Sequence, residues 1–202
     1  MTIYPKIFFS MIIACLLCTF PAHAVEMAQT AYYNYAHDDA EYSVMLPEAP
    51  RVKTIWEESP DTTAYLENPP SENSALGELA IFRRLDMDTE EVFEVKITFL
   101  KAKQSFLEGL TKEKIQAMLA KQYTGTPLDN AQFAFSPGAG TLKWATFSGF
   151  TLDTHHHPAF AAIHYLTGQQ SILVVQVLYS LENKGFQEYY KKLVDSITYI
   201  AP

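Results

Sequence analysis

From residue 41 onward, apolar and polar residues alternate in short runs that are separated by turn-forming residues. This period of two is typical of strands with one buried face. The predicted strands are Glu41–Leu46, Arg51–Glu57, Thr62–Leu66, Leu76–Arg84, Val92–Leu100, Ala131–Phe135, Thr141–Phe150, Phe160–Leu166 and Ile172–Tyr179. The last strand is apolar at almost every position, which indicates a central strand covered on both faces. The acidic turn LDMDTEE at residues 85–91 predicts a hairpin between the strands on either side of it.

Two segments have a period near 3.6, which predicts amphipathic helices. The first runs over residues 104–123, and Gly109 is the point at which we expect it to break. The second follows Asn183, a residue type that caps helices, and its apolar stripe ends at Ile197.

The order of elements is strands, helix, strands, helix, with short turns between consecutive strands. Such an order favours antiparallel pairing and predicts the α+β class, in which helices pack on an antiparallel sheet. Aromatic residues such as Trp144 and Phe147 fit core faces of these elements. No repeat and no interior linker divides the chain. We therefore expect a single α+β domain over residues 41–202, preceded by an N-terminal arm over residues 25–40.

Residues 1–24 have the pattern of a secretory signal peptide. One lysine precedes an apolar run over residues 7–20, which is shorter than the roughly 20 residues of a membrane-spanning helix. Small residues at Ala22 and Ala24 favour cleavage after Ala24, which predicts a periplasmic or secreted protein without a transmembrane segment after signal removal. The alternative is a lipoprotein, because Ile12-Ile13-Ala14-Cys15 resembles the cleavage box that leaves a lipid on the cysteine.

Both cysteines of the chain, Cys15 and Cys18, lie in this leader. The mature chain therefore has no disulfide, no thiolate nucleophile and no thiolate metal ligand. The formal net charge is −8 for the whole chain, and it becomes −9 after cleavage because Lys6 is the only charged residue of the leader. Proteins that bind nucleic acid display clustered lysine and arginine, so this charge argues against a nucleic-acid partner.

The phrase YSVMLPEAP at residues 42–50, the middle helix, the strands after it and the closing helix with Asp195-Ser196-Ile197 resemble the PsbP-like fold. The resemblance covers roughly residues 41–199. It implies a small α/β/α sandwich domain and favours a binding or assembly role over catalytic turnover. The best-known members are accessory subunits of the oxygen-evolving photosystem in plants and cyanobacteria. The superfamily has no shared catalytic motif to match here, so the resemblance assigns a role to no individual residue.

The segment TLDTHHHPAF at residues 151–160 contains three of the six histidines. In a strand, side chains two residues apart share a face, so Asp153, His155 and His157 would point to one side. These residue types bind transition metals, which makes the three side chains a candidate site for an ion such as zinc. Pro158 and the position between two strands favour an exposed turn instead. A proton-responsive histidine cluster is the third alternative.

Other polar residues have simpler interpretations. His164 lies in an apolar strand, where a histidine is usually hydrogen-bonded and structural. Asp86, Asp88 and Glu90 lack the glycine and the later glutamate of a calcium loop, which favours a solvated hairpin tip. The triplet HDD at residues 37–39 contains metal-ligating residue types, but it lies in the N-terminal arm.

The sequence contains no nucleophile motif, no metalloprotease motif and no phosphate-binding glycine pattern. The hypothesis that follows is an exported, non-enzymatic accessory or protein-interaction domain that needs no cofactor. Its sheet edge or inter-helix groove would bind an unknown protein partner in the cell envelope. The alternatives are a metal-binding protein that uses the histidine cluster and a hydrolase without a recognisable motif. The sequence does not determine the oligomeric state.

Overall fold

A seven-stranded antiparallel sheet forms the centre of the protein. The computed structural model describes residues 33–35, 41–55, 77–122 and 128–200. In chain order, the strands are β1 Tyr33–Tyr35, β2 Tyr42–Leu46, β3 Arg51–Ile55, β4 Gly77–Leu85, β5 Val92–Lys101, β6 Asp129–Pro137, β7 Lys143–Leu152, β8 Pro158–Thr167, β9 Ser171–Ser180 and β10 Thr198–Tyr199. The large sheet has the order β3-β4-β5-β9-β8-β7-β6, and a small sheet has the order β1-β2-β10.

Short turns produce most of the strand order. The pairs β4–β5, β6–β7, β7–β8 and β8–β9 are neighbours both in the sequence and in the sheet. In the β6–β7 turn, the N–H of Leu142 donates to the carbonyl of Ala139. Gly140 has a φ of 61° there, which is the positive value that a type II′ hairpin turn requires at its first central position. The pairing of β5 with β9 then joins the two halves of the sheet.

Three helices accompany the strands, namely α1 Gln104–Gly109, α2 Lys112–Gln122 and α3 Lys184–Ser196. The helix predicted over residues 104–123 is thus two helices, because the extended backbone of Leu110 (φ −76°, ψ 113°) ends α1 directly after Gly109. The side chain of Leu110 is buried, so the break places an apolar residue in the core. α3 begins at its predicted cap, since the side chain of Asn183 accepts a hydrogen bond from the N–H of Phe186. Each helix in the described ranges is too short or too polar to span a bilayer.

Apolar side chains pack on both faces of the large sheet. We call the face that lies against α3 the α3 face, and the opposite face lies against α1 and α2. Alternate residues of β9 divide between them: Leu173 and Val175 lie on the α3 face, whereas Ile172 and Val174 lie on the other. This division explains why β9, the fourth of the seven strands, is apolar at almost every position.

The predicted class, an antiparallel sheet with a few helices, is confirmed. Three strands differ from their predictions. β6 is longer than Ala131–Phe135, and its register with β7 shifts between Asp129 and Gln132. β7 lies two residues later than Thr141–Phe150, and β8 is longer than Phe160–Leu166 and begins at Pro158. The signal peptide, the strand predicted at Thr62–Leu66 and the arm apart from β1 lie outside the described residues.

Candidate functional site

α3 covers only part of its face of the sheet. Phe186 and Tyr189 of α3 lie against Phe93 of β5, and Tyr190 lies against Phe160 of β8 and Tyr179 of β9. The strands β7 and β6 extend beyond these contacts. Their residues on the α3 face are half-buried or exposed, and we call this set the open face. It comprises Asp129, Gln132, Ala134 and Ser136 of β6 and Trp144, Thr146, Ser148, Phe150 and Leu152 of β7.

One end of the open face is apolar. Phe150 is 42% exposed and Leu152 is 54% exposed. The ring of Phe150 lies edge-on to Phe160 with 5.9 Å between centroids, and the ring of Trp144 lies edge-on to His164 at 6.2 Å. Such contacts hold aromatic rings in fixed orientations. The open face is therefore a partly apolar surface, and its aromatic rings pack against side chains of β8.

A series of buried, hydrogen-bonded side chains lies at the border between α3 and the open face. The imidazole of His164 is 3% exposed. Its Nδ1 lies 3.0 Å from Oγ1 of Thr146, and its Nε2 lies 3.3 Å from the hydroxyl of Tyr190. Burial lowers the pKa of His164 to about 4 and raises the pKa of Tyr190 to about 12. His164 is therefore neutral at neutral pH, and the predicted hydrogen bonding of its ring is confirmed.

The loop between β7 and β8, residues 153–157, is here called the histidine turn. Oδ1 of Asp153 accepts hydrogen bonds from the backbone N–H groups of His155 at 2.8 Å and His157 at 2.9 Å. Oδ2 accepts a third from the hydroxyl of Ser180 at 2.6 Å. Burial opposes ionisation of Asp153, but the hydrogen bonds from Ser180 and from the two backbone groups hold its pKa below the usual range. Asp153 is thus an anion that fixes the shape of the turn.

The histidine turn brings two imidazoles together. The rings of His155 and His157 are stacked with 6.4 Å between centroids. Nδ1 of His155 lies 3.7 Å from Oε2 of Glu90, and Nδ1 of His157 lies 3.4 Å from Oδ2 of Asp153. Across the described ranges, no three histidine, cysteine, aspartate or glutamate side chains are arranged to hold a metal ion. A metal site at Asp153, His155 and His157 stays a prediction, and its aspartate is already engaged by three hydrogen bonds.

The acidic turn between β4 and β5 is the hairpin tip that the sequence predicts. The carboxylate of Asp86 accepts hydrogen bonds from the backbone N–H groups of Asp88 at 3.0 Å and Thr89 at 3.3 Å. These bonds hold the pKa of Asp86 below its usual range. Asp86 therefore closes the turn through its Oδ1 atom.

A polar cleft of about 610 Å³ lies between α1, the β6–β7 turn, the β8–β9 turn and β10. It is lined by Gln104, Glu108, Ala139, Gly140, Thr141, Leu142, Lys143, Gln169, Gln170 and Tyr199. The ammonium of Lys143 donates to the backbone carbonyls of Leu107 at 2.9 Å and Thr141 at 3.4 Å. Burial lowers the pKa of Lys143, and the carboxylate of Glu108 acts in the opposite direction. Sequence patterns did not indicate this cleft, because its residues come from separate elements.

The buried carboxylate of Glu41 joins the start of β2 to the β8–β9 turn. It accepts hydrogen bonds from the N–H groups of Gln169 at 2.8 Å and Gln170 at 3.1 Å, and from the hydroxyl of Ser171 at 2.6 Å. A Cβ atom at Gly168 would overlap this carboxylate, so the turn requires glycine at that position. A glutamate at the start of a strand gives no sequence signal for such a role.

No protein-family model matches the sequence, and no curated protein matches it either. One solved structure that matches is the solution structure of cyanobacterial PsbP (CyanoP) from Synechocystis sp. PCC 6803, with a TM-score of 0.51 and 8% sequence identity. The superposition covers 86% of this chain and 95% of that chain. At such low identity the similarity concerns the fold alone. The antiparallel sheet, its helices and this similarity together support a PsbP-like fold for the chain.

Proposed function

We propose that this chain is an exported accessory domain without catalytic activity, and that it binds a protein partner through the open face. The open face is the observation that carries the proposal, because it exposes aromatic and aliphatic side chains on a part of the sheet that α3 leaves uncovered. Exposed apolar patches on folded domains are typical of interaction sites. Aromatic side chains contribute much of the binding energy at such sites.

The composition of the open face supports the same proposal. Only one of its nine residues, Asp129, is charged, although the chain has 15 basic and 23 acidic residues. Depletion of charge together with enrichment of aromatic residues distinguishes the centre of a protein interface from other surface. Phe150 and Leu152 supply the apolar part, and Gln132, Ser136 and Ser148 supply hydrogen-bonding groups beside it.

The surroundings of the ionisable residues support a role without catalysis. His164 is buried and bonded through both ring nitrogens. The carboxylate of Asp153 is engaged by three donors, and the ammonium of Lys143 is bonded to two carbonyls. General acid–base catalysis needs such groups to be free to contact a substrate. The hydrogen bonds of these three side chains therefore favour a structural role for each of them.

The proposal includes the finer features that the sequence predicts. These are an α/β/α sandwich, cleavage after Ala24, and a location in the periplasm or outside the cell. The two apolar clusters, one with α3 and one with α1 and α2, support the three layers. The apolar leader and the absence of cysteine after it support export.

The test compares variants of the full chain expressed with its leader. Phe150→Ser combined with Leu152→Ser removes the apolar end of the open face, whereas Met87→Ser removes a side chain that is 82% exposed at the β4–β5 turn. Cross-linking in the native envelope followed by mass spectrometry should recover the same partner with wild type and the Met87 variant, and lose it with the double variant. Equal recovery with all three proteins, or no reproducible partner with any, would contradict the proposal. Thermal melting of the three proteins establishes that each is folded.

A further inference from the structure

The two edges of the large sheet differ in charge. β3, at one edge, carries the exposed Arg51, and charged side chains of this kind prevent an edge strand from pairing with another chain. β6, at the other edge, carries no charge over residues 130–137. In the part of the chain that the structure describes, β6 pairs with β7 alone. Among these described residues, the outer edge of β6 is therefore unpaired.

The sequence of β6 is complementary to itself in antiparallel pairing. When a two-fold axis passes through Ala134, Phe133 of one copy faces Phe135 of the other, and Gln132 faces Ser136. Both phenylalanines are half-buried on the face that lies against α1 and α2, so the pairing places four aromatic rings together on that face. Aromatic pairs across antiparallel strands are stabilising, whereas like charges across them are destabilising. None of these five residues is charged.

We propose that a second copy of this chain pairs with β6 in this register, and that the two copies form a dimer with one continuous sheet. The contact is isologous, because the same strand contributes from both copies. It supplies backbone hydrogen bonds to the outer edge of β6 and buries the remaining exposed surface of Phe133 and Phe135. It also places the two open faces side by side.

The net charge of the chain determines how the affinity of the dimer depends on salt concentration. Each copy has a net charge of −8, or −9 without the leader, so the two copies repel each other at long range. The only charge in β6 is Asp129, on the far side of the register shift from Gln132. The contact itself therefore contains no ion pair for salt to weaken. Salt screens the repulsion, and we expect the dimer to become tighter as ionic strength rises.

A charge exchange at the two-fold axis tests the contact. Ala134 is exposed, and Ala134→Lys alone or Ala134→Glu alone places like charges opposite each other across the axis. Each variant is expected to raise the dimer Kd about tenfold or more. An equimolar mixture of the two variants is expected to recover the dimer, because opposite charges then face each other. Val52→Lys, at an exposed position of the other edge strand, is the matched control and is expected to keep the wild-type mass in light scattering.

The absence of cysteine from the chain after residue 24 provides a second readout. Ala134→Cys is expected to give a disulfide-linked dimer under mild oxidation, because residue 134 faces its own copy across the axis. Val52→Cys is expected to remain unlinked on a non-reducing gel. A wild-type protein that stays monomeric at about 100 μM in both low and high salt would overturn the proposal. So would a dimer that the changes at Ala134 leave intact and that Ala134→Cys does not cross-link.

Discussion

Acidification is expected to destabilise this protein through His164. An unfolded chain exposes the imidazole with a pKa of about 6.5, whereas burial lowers the pKa in the folded protein to about 4. As the pH falls, the unfolded state therefore binds a proton before the folded state does. The stability that His164 contributes is complete above about pH 6.5 and is lost progressively as the pH falls toward 4.

The size of this loss follows from the two pKa values. The full difference between them corresponds to about 3 kcal/mol, and the part expressed between pH 7 and pH 4.5 is about 2 kcal/mol. The groups that contact the imidazole do not offset this loss of stability. Thr146 carries no charge, and Tyr190 stays neutral throughout this range because its pKa is raised to about 12.

The assay is guanidinium unfolding at pH 7 and pH 4.5, followed by circular dichroism. Wild type is compared with His164→Gln, which removes the titrating group, and with His155→Gln, which removes an exposed imidazole from the histidine turn. His164→Gln is expected to be less stable than wild type at pH 7, but to lose about 2 kcal/mol less on acidification. If all three proteins lose the same free energy between the two pH values, the reasoning about His164 is wrong.

Three further changes test the hydrogen bonds and contacts described above. Asp153→Ala is expected to lower the free energy of unfolding by about 3 kcal/mol in the same denaturant assay, because three donors lose their acceptor. Asp153→Asn keeps an acceptor oxygen, so its loss of stability should be less than about half of that value. Gly168→Ala is expected to lower the Tm by about 5 °C or more in calorimetry, because its Cβ overlaps the carboxylate of Glu41. Gly109→Ala, whose Cβ would meet only the end of the Lys114 side chain at 4.0 Å, is the matched change and should leave the Tm unchanged or higher. Stoichiometric zinc is expected to leave the Tm unchanged; an increase that disappears in a variant without the two stacked imidazoles would instead support the metal alternative.

The strands and hairpins could be predicted because their signals are local. The alternation in β4 and β5 and the acidic turn between them lie within a few residues of one another. The pairing of β5 with β9 has no such signal. It places Val95 opposite Val177, and only the packing of two apolar faces selects this partner among several apolar strands.

The open face could not be predicted from the alternation that identified β7. A period of two shows which side chains share a face, but it does not show whether a helix covers that face. Trp144 fits a core face by its pattern, yet it is only half-buried. The reason is that α3 packs its aromatic residues on β5, β9 and β8, and does not extend over β7.

The role of Asp153 likewise could not be predicted from the sequence. Its alternation with His155 and His157 suggested ligands for one ion. In the structure, the carboxylate accepts hydrogen bonds from backbone N–H groups of its own turn and from the hydroxyl of Ser180, a residue 27 positions later in the chain. A sequence shows which acceptors are near in the chain, but the donors that engage a buried anion are selected by the fold.

The backbone contacts of Glu41 connect the start of β2 with the end of β10. The backbone carbonyl of Glu41 accepts a hydrogen bond from the N–H of Ile200 at 2.7 Å, and Tyr42 of β2 lies opposite Tyr199 of β10. The start of β2 and the end of β10 are therefore held side by side. Fluorophores at these two positions would transfer energy in the folded state and lose that transfer on unfolding.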